Sequence, residues 1–372
     1  MRTLDGTRTW RIAVGAAVLA AVAVPARAAA GPAPTPEPGR TVCEVRDGRL
    51  LEISGMVATD DGFVVVNDGA DDEARRRIFF LDRECAVVRA VPYPSRPRDT
   101  EDLAVGPDGT LWVADVGDND RSRTTVAVWR LAPGADRPEL YRMSYPDGAH
   151  DAEAMLITGG GRPLIVTKFS ATLYAPTTAL RRGATVPLAK VGQVRLPGST
   201  TSNPFGLLGR TVITGAAAAP DGSRVVLRTY ADAFEFDVTG GDVVAALTRG
   251  APRATPLPDE PQGESVAYSR DGRSLLTVSE TAGQPPGTRP RILRYAVPSA
   301  APSRPPSGPA GATPAAGGGT PAPAGHAGGN GGGTSTAALA AGGIGVVLLV
   351  VAALLAALVA ARRRPRRTSS TR

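Results

Sequence analysis

DTEDLAVGPDGTLWVADVGDND, Asp99 to Asp120, holds a short apolar run, a tight turn at Asp108-Gly109 and a second apolar run, with acidic side chains at both outer ends. Four other segments are imperfect copies of its first half: SGMVATDDG ending at Gly62, EAMLITGGG at Gly161, TGAAAAPDG at Gly222 and ESVAYSRDG at Gly272. The turn glycines are spaced by 47, 52, 61 and 50 residues, close to the length of one four-stranded propeller blade. Each sits where a hairpin needs positive φ, which glycine adopts at little cost.

An apolar or alternating run follows each turn: FVVVND, TLWVAD, PLIVTK, RVVLRTY and SLLTVSE. Third runs follow in RIFFLD, VAVWRL, ATLYAP, FEFDV and RILRYAV, and weaker fourth ones in CAVVRAVPYP, ELYRMSYP, AKVGQVRLP and RATPLP. Short strands between turn signals, without a helical period, predict an all-β fold. A lone blade cannot bury its faces, so the copies are expected to stack around an axis as a β-propeller of five four-stranded blades. The long third interval, with LRRGATVPLAKVGQVRLP, leaves room for a degenerate sixth.

The last copy stops after its third strand, near Val297, and the strand-like VCEVRDGRLLEI (Val42 to Ile53) precedes the first copy. This segment is expected to complete the last blade and close the ring without a free edge. Cys43 lies on it, and Cys85, the other cysteine of the chain, precedes the outer strand of the first blade. A disulfide stapling the closure and two buried free thiols are both compatible with that placement.

Eight residues before the turn glycines stand Ser54, Glu101, Glu153, Thr214 and Glu264. All carry a side-chain oxygen on what should be the innermost strand. The far end of the antiparallel second strand lies beside them and brings Asn67 with Asp68, Asp115, Lys168, Arg228 with Tyr230, and Glu280. One mouth of the central channel is therefore expected to collect the ionisable groups, with the glycine turns at the other. Against this stands the plainer reading that strand-end polar residues satisfy backbone donors or end strands.

The residues expected to bind a ligand are Lys168, Arg228, Tyr230, Asp115 and Glu280. Those expected to hold a metal are Glu101, Glu153 and Glu264, with Asp118 and Asn119 from the acidic loop DVGDND. Oxygen donors at this density suit Ca²⁺ or another hard divalent cation, although the spacing is not that of an EF-hand. Lys168 is one of only two lysines among 42 basic residues, which singles out its ammonium. Lys168 and Arg228 would either neutralise carboxylates or clamp an anion beside the metal. His150 is the only histidine before the low-complexity tail and no G-x-S-x-G elbow accompanies it, so serine-type catalysis is discounted.

The ends read differently. Residues 1–28 have the basic, apolar and Ala26-Arg27-Ala28 parts of a signal peptide, and 29–41 is a proline-rich spacer. Propeller territory spans 42–297. Residues 298–336 lack the apolar mass for a core and read as a disordered Pro/Gly/Ala-rich stalk, reaching about 35 Å. Residues 337–361 carry no charge and suffice for one transmembrane helix, and the basic tail 362–372 should stay cytoplasmic. The expected product is a single-pass protein of the cell membrane with its propeller outside. The net charge of +7 resides in these ends: six arginines lie from 362 onward and an excess of three positive charges in the first 28 residues, leaving −2 between. A nucleic-acid partner is not expected.

Through TEDLAV with ADVGDN, DAEAML with VTK, VLRTY, and QGES with SE, the chain resembles the phytase-like, or esterase-like, β-propellers of bacterial secreted proteins. More distantly it looks like the lactonase-type propellers. The latter resemblance implies one divalent metal held by channel carboxylates and amides, with Glu101, Glu153 and Glu264 as the matching acids and Asn67 or Asn119 as amides. Ser54 and Thr214 replace acids in two blades, which departs from multi-calcium phytase chemistry.

Two classes of function follow. In the first, the mouth binds a small anionic or polar ligand, or an extracellular protein partner, together with a divalent cation. In the second, the chain is a metal-dependent hydrolase of phosphate esters, carboxylic esters or lactones.

Overall fold

The computed structural model describes residues 36–69 and 72–297. The segments expected to be a signal peptide (1–28), stalk (298–336), transmembrane helix (337–361) and cytoplasmic tail (362–372), with the first part of the spacer, lie outside them. No helix among the described residues is long and apolar enough to cross a membrane.

The first strand, β1 (Arg40–Glu44), belongs to the last blade. Blade one is β2 (Ile53–Ala58), β3 (Gly62–Asn67), β4 (Arg77–Asp82) and β5 (Val87–Pro92). Blade two is β6 (Asp102–Val105), β7 (Leu111–Asp115), β8 (Val126–Leu131) and β9 (Glu139–Ser144). Blade three is β10 (Ala152–Ile157), β11 (Pro163–Thr167), β12 (Thr172–Pro176) and β13 (Thr185–Gln193). Blade four is β14 (Ile213–Ala218), β15 (Arg224–Thr229), β16 (Asp232–Asp237) and β17 (Arg253–Pro256), and blade five is β18 (Gln262–Tyr268), β19 (Ser274–Glu280) and β20 (Arg291–Ala296). Strand β1 pairs antiparallel with β20 and completes blade five.

The inner strands pack in the cyclic order β2, β6, β10, β14, β18 and back to β2. Five hydrophobic clusters fill the five seams between neighbouring blades. This arrangement explains why the second strands read as unbroken apolar runs. In β3, Phe63 and Val65 face blade five while Val64 and Val66 face blade two; in β15, Val225 and Leu227 face blade three and Val226 faces blade five. With both faces buried, the period-2 alternation loses its polar half.

The five turn glycines all have positive φ, from 66° to 152°. The segment that left room for a sixth blade is the long strand β13, whose start runs parallel to β9 and joins blades two and three into one eight-stranded sheet. Cys43 and Cys85 are disulfide-bonded, Cα–Cα 5.8 Å, linking the closing strand to the β4–β5 turn of blade one. A helix that the strand pattern did not predict, α1 (Val243–Arg249), lies between β16 and β17. Asp242 caps it by accepting the Ala245 amide at 2.8 Å.

Candidate functional site at the channel mouth

Four inner strands break register at the same place. The pairing skips Ser54 in β2, Glu153 in β10, Thr214 in β14 and Glu264 in β18. These bulges fall on the residues eight before the turn glycines, and a bulge re-aims the side chain it carries. In blade two, Glu101 occupies the corresponding place just before β6, its amide bonded to Ala114 O at 2.8 Å. Ser54 and Thr214 use their hydroxyls on the ring itself. Ser54 Oγ donates to Glu101 O at 2.6 Å, and Thr214 Oγ1 to Gly263 O at 2.9 Å, each reaching the following blade.

The three ring glutamates are buried and face common neighbours. Lys168 Nζ pairs with Glu153 and lies 3.7 Å from Asp151 Oδ2. Glu264 Oε1 accepts the Tyr230 hydroxyl at 3.1 Å, while Glu264 Oε2 is buried without a donor. Gln262 Nε2 donates to Glu280 Oε2 at 2.6 Å. Toward blades one and two, carboxylate oxygens of Asp68, Asp99 and Glu101 lie within 4.8 Å of one another. Each of the Asp68 and Asp99 carboxyls perturbs the other's ionisation.

Electrostatics ties these groups together. Burial pushes Glu101 well above the usual carboxylate range, and the charges of Glu153, Asp68 and Asp99 add to it. Burial, then Asp99 and Glu153, raise Asp68; burial, then Glu264 and Asp68, raise Glu280. Burial lifts Glu153 to about 8 against the pull of Lys168. Burial alone would lower Lys168, but Glu153, Asp151 and Glu101 outweigh it and hold the ammonium charged. The mouth thus gathers more carboxyl groups than its single lysine can pair, and burial favours their protonated forms.

Other expected site residues are placed elsewhere by strand parity. Arg228 shares a face with Val226 and points into the seam with blade five, 0% exposed. There Nη2 donates to Glu260 Oε2 and Nη1 to Ser265 O, each at 2.6 Å. It is a structural ion pair and not part of an anion clamp. Asp115 shares a face with Leu111 and Val113 and turns toward blade one. Its carboxylate accepts the Asp99 amide at 3.0 Å and the Trp129 indole at 3.2 Å, and pairs with Arg123 at 3.0 Å.

Asp118 is committed to its loop, accepting the amides of Ser122 and Arg123 at 2.9 and 2.8 Å. Asn119 is exposed beside it. Neither Asp118 nor Asn119 joins the carboxylate cluster. Asn67 donates to Arg49 O and Arg75 O, both at 2.9 Å, holding the linker into blade one.

Asp68 was expected at the mouth beside Asn67 but not as a metal ligand, and Asp99 and Asp151 were not expected in the site. A signal for two of them exists: an acid or amide recurs two residues before the ring position, as Glu52, Asp99, Asp151 and Gln262.

The donor set of the triad is oxygen only and anionic, which fits a hard cation such as Ca²⁺ and does not fit a soft one. Two glycines shape the cradle. A Cβ at Gly117 would lie 2.0 Å from Glu101 Oε1 and 2.7 Å from Asp99 Oδ2, and one at Gly69 would lie 2.4 Å from Asp99 Oδ1.

No family model and no curated protein matches the sequence. Solved structures with a related chain path include a gluconolactonase from Xanthomonas campestris, at 13% identity, covering 69% of this chain and 80% of that one, TM-score 0.39. The PQQ-bound aldose sugar dehydrogenase of Streptomyces coelicolor shares 14% identity over 68% of this chain and 96% of its own, TM-score 0.36. Streptogramin B lyase shares 12% over 65% of each chain, TM-score 0.33, so this chain spans less than two thirds of that lyase's length. At such identities and TM-scores no residue role passes from these proteins to this one.

Proposed function

We propose that the mouth binds one divalent cation through Asp68, Asp99 and Glu101 and uses it to hold a small oxygen-bearing ligand, on a propeller displayed outside the cell. The observation that carries this reading is the Asp68–Asp99–Glu101 triad, with oxygens within 4.8 Å of one another, in a mouth where Glu264 Oε2 is buried without a donor. A bound cation would compensate both the burial and the neighbouring charges that raise these carboxyls. The export segment and the apolar stretch 337–361 supply the proposed location.

The test is calorimetric titration of the EDTA-stripped full chain in detergent with Ca²⁺ and Mg²⁺. Saturable binding of one ion, lost in Asp99→Asn and Glu101→Gln, is the expected result. No binding of either ion would end the proposal.

A second reading, hydrolysis of phosphate esters, carboxylic esters or lactones, is favoured by Glu153. Its carboxyl titrates at about 8 beside Lys168, the range in which a carboxylate can take a proton from water near neutral pH. A bound divalent cation would polarise a substrate oxygen. Lys168 would keep Glu153 oriented, and Tyr230 would orient Glu264. Turnover of a phosphomonoester, an aryl ester or a lactone, lost in Glu153→Gln with cation binding retained, supports this reading; no turnover on any of the three removes it.

A further inference from the structure

On the face opposite the mouth, where the hairpin glycines sit, a cavity of about 330 Å³ opens in the seam between blades two and three. Trp112, Arg130, Arg162, Pro163, Pro176 and Leu180 are among its walls, and no carboxylate lines it. Trp112 and Arg130 are partners across the β7–β8 pairing and so share the face turned to blade three. The Arg130 guanidinium lies over the Trp112 ring at 4.5 Å and over the Tyr141 ring at 5.4 Å. Arg162 Nη2 donates to Pro176 O, which ties the second guanidinium to the cavity wall.

The polar side chains here are donors short of acceptors. Trp112, 4% exposed, buries its Nε1 without a partner, and the half-buried Arg130 does the same with its Nε. Neither Arg130 nor Arg162 forms an ion pair among the described residues. The acids nearest to Arg130 are engaged elsewhere. Glu139, its partner across β8 and β9, accepts the Tyr141 hydroxyl at 2.8 Å and pairs with Arg182 at 3.0 Å. Asp108 accepts the amide and the hydroxyl of Thr110, at 3.0 and 2.9 Å. A buried donor without an acceptor loses its hydration for nothing in return, and a cation short of an anion loses more. Both shortfalls have the same sign and line the same cavity, and one oxyanion would meet both.

We infer that this cavity is a second binding site, for the phosphate or carboxylate head of a small organic anion. Arg130, packed on Trp112 and Tyr141, offers a fork of donors suited to two oxygens of one oxyanion. Arg162 adds a second positive charge, and the Trp112 indole adds a neutral donor. Pro163, Pro176 and Leu180 supply apolar contact for the body of the ligand. The site is separate from the cation site at the mouth and does not depend on it.

The test uses the metal-stripped full chain in non-ionic detergent, so that no metal at the mouth can hold the anion. Phenyl phosphate, benzoate and inorganic phosphate are titrated by calorimetry and against the Trp112 indole N–H resonance, assigned by NMR with Trp112→Phe. The expected result is saturable binding of phenyl phosphate or benzoate that moves this resonance, the tighter of the two identifying the head. Inorganic phosphate should bind at least about tenfold more weakly, because the apolar walls add nothing to it. Arg130→Gln should weaken binding by at least about tenfold and Arg162→Gln by less, with Arg130→Lys between wild type and Arg130→Gln. The tighter anion should also raise the Tm of the wild type and not that of Arg130→Gln.

If neither organic anion moves the Trp112 resonance at millimolar concentration, the inference is overturned. Unchanged affinity in a folded Arg130→Gln overturns it as well, since the anion would then sit elsewhere. Should Arg130→Gln fail to fold, Trp112→Phe and Arg162→Gln decide: both should bind more weakly by calorimetry, and wild-type affinity in both overturns the site. Inorganic phosphate binding as tightly as phenyl phosphate overturns the assignment of an organic ligand.

Discussion

The carboxylate of Asp102 accepts the amide of Met155 at 2.8 Å, from one blade to the next. The same oxygen takes the Ala216 amide at 3.2 Å, and its other oxygen takes the Leu103 amide at 2.8 Å. One side chain from blade two therefore ties together the inner strands of blades two, three and four on the axis, fully buried. The equivalent positions of the other blades are Gly55, Ala154, Gly215 and Ser265. A Cβ at Gly55 would lie 2.6 Å from Leu103 N, which shows how little room the narrow ring leaves there.

Asp102→Ala leaves three buried amides without acceptors and is expected to cost at least about 3 kcal/mol. Asp102→Asn keeps a carbonyl for Met155 and Ala216 and should recover half or more of that loss. Chemical denaturation measures both; an alanine variant within about 0.5 kcal/mol of wild type would show that the brace contributes nothing.

Arg228 and Glu260 form an ion pair that is almost entirely removed from solvent. The Glu260 carboxyl also accepts the hydroxyls of Thr277 and Tyr295, each at 2.7 Å. Arg228→Met strands a buried carboxylate and should cost about 3–5 kcal/mol, whereas Arg228→Met/Glu260→Gln should cost less than the single change. Cation binding at the mouth should survive in any folded Arg228 variant. Loss of binding in a folded Arg228→Met would return that residue to the site.

Reducing or removing the Cys43–Cys85 bridge frees the closing strand. The cysteines are 42 residues apart, and a loop of that size corresponds to about 3–4 kcal/mol in the chain-entropy account. Cys43→Ser/Cys85→Ser should therefore melt well below the wild type, and reductant should lower the wild type to a similar Tm. An unchanged Tm in the double variant would mean that the β1–β20 pairing closes the ring unaided.

The pH dependence of the stripped protein follows from the raised carboxyls. Burial and mutual repulsion raise Asp68, Glu101, Glu153 and Glu280 in the folded chain, with Glu153 at about 8. The native state then holds more protons than the unfolded one, so stability falls as pH rises from the unfolded carboxylate value, about 4, through the raised folded values. Glu260 has the opposite sign. Burial would raise it, but Arg228 and its hydroxyl donors outweigh that and hold it low, so its contribution is present above the unfolded value and lost as pH falls through the folded one. Without calcium, Tm should fall between pH 5 and pH 8, and saturating Ca²⁺ should flatten that fall. A Tm that rises over this range in EDTA contradicts the assignment.

Much of the fold is written in local chemistry. Turn glycines at Gly62, Gly109, Gly161, Gly222 and Gly272 recur because five hairpins need positive φ, and the unfinished last repeat anticipates the β1–β20 closure. The ring positions Glu101, Glu153 and Glu264 were legible for the same reason, since a fixed offset from a fixed turn keeps a residue on one place of the inner strand. The Asp242-capped helix escaped notice because seven residues are too few to show a helical period among strands.

What tertiary structure alone decided is the direction of each strand-end side chain. Arg228 and Lys168 look alike in the sequence, as basic residues near the end of a second strand. Arg228 lies within β15 on the face turned to the seam, while Lys168 lies one residue beyond β11 and opens onto the axis. Asp118 resembles a metal ligand until its loop folds back and spends both its oxygens on backbone amides. Asp68 becomes a neighbour of Asp99 and Glu101 only when blades one and two meet. A sequence records position along the chain, but the bulges and the packing of adjacent blades determine which oxygens share a space, and that proximity is what makes carboxylates a site.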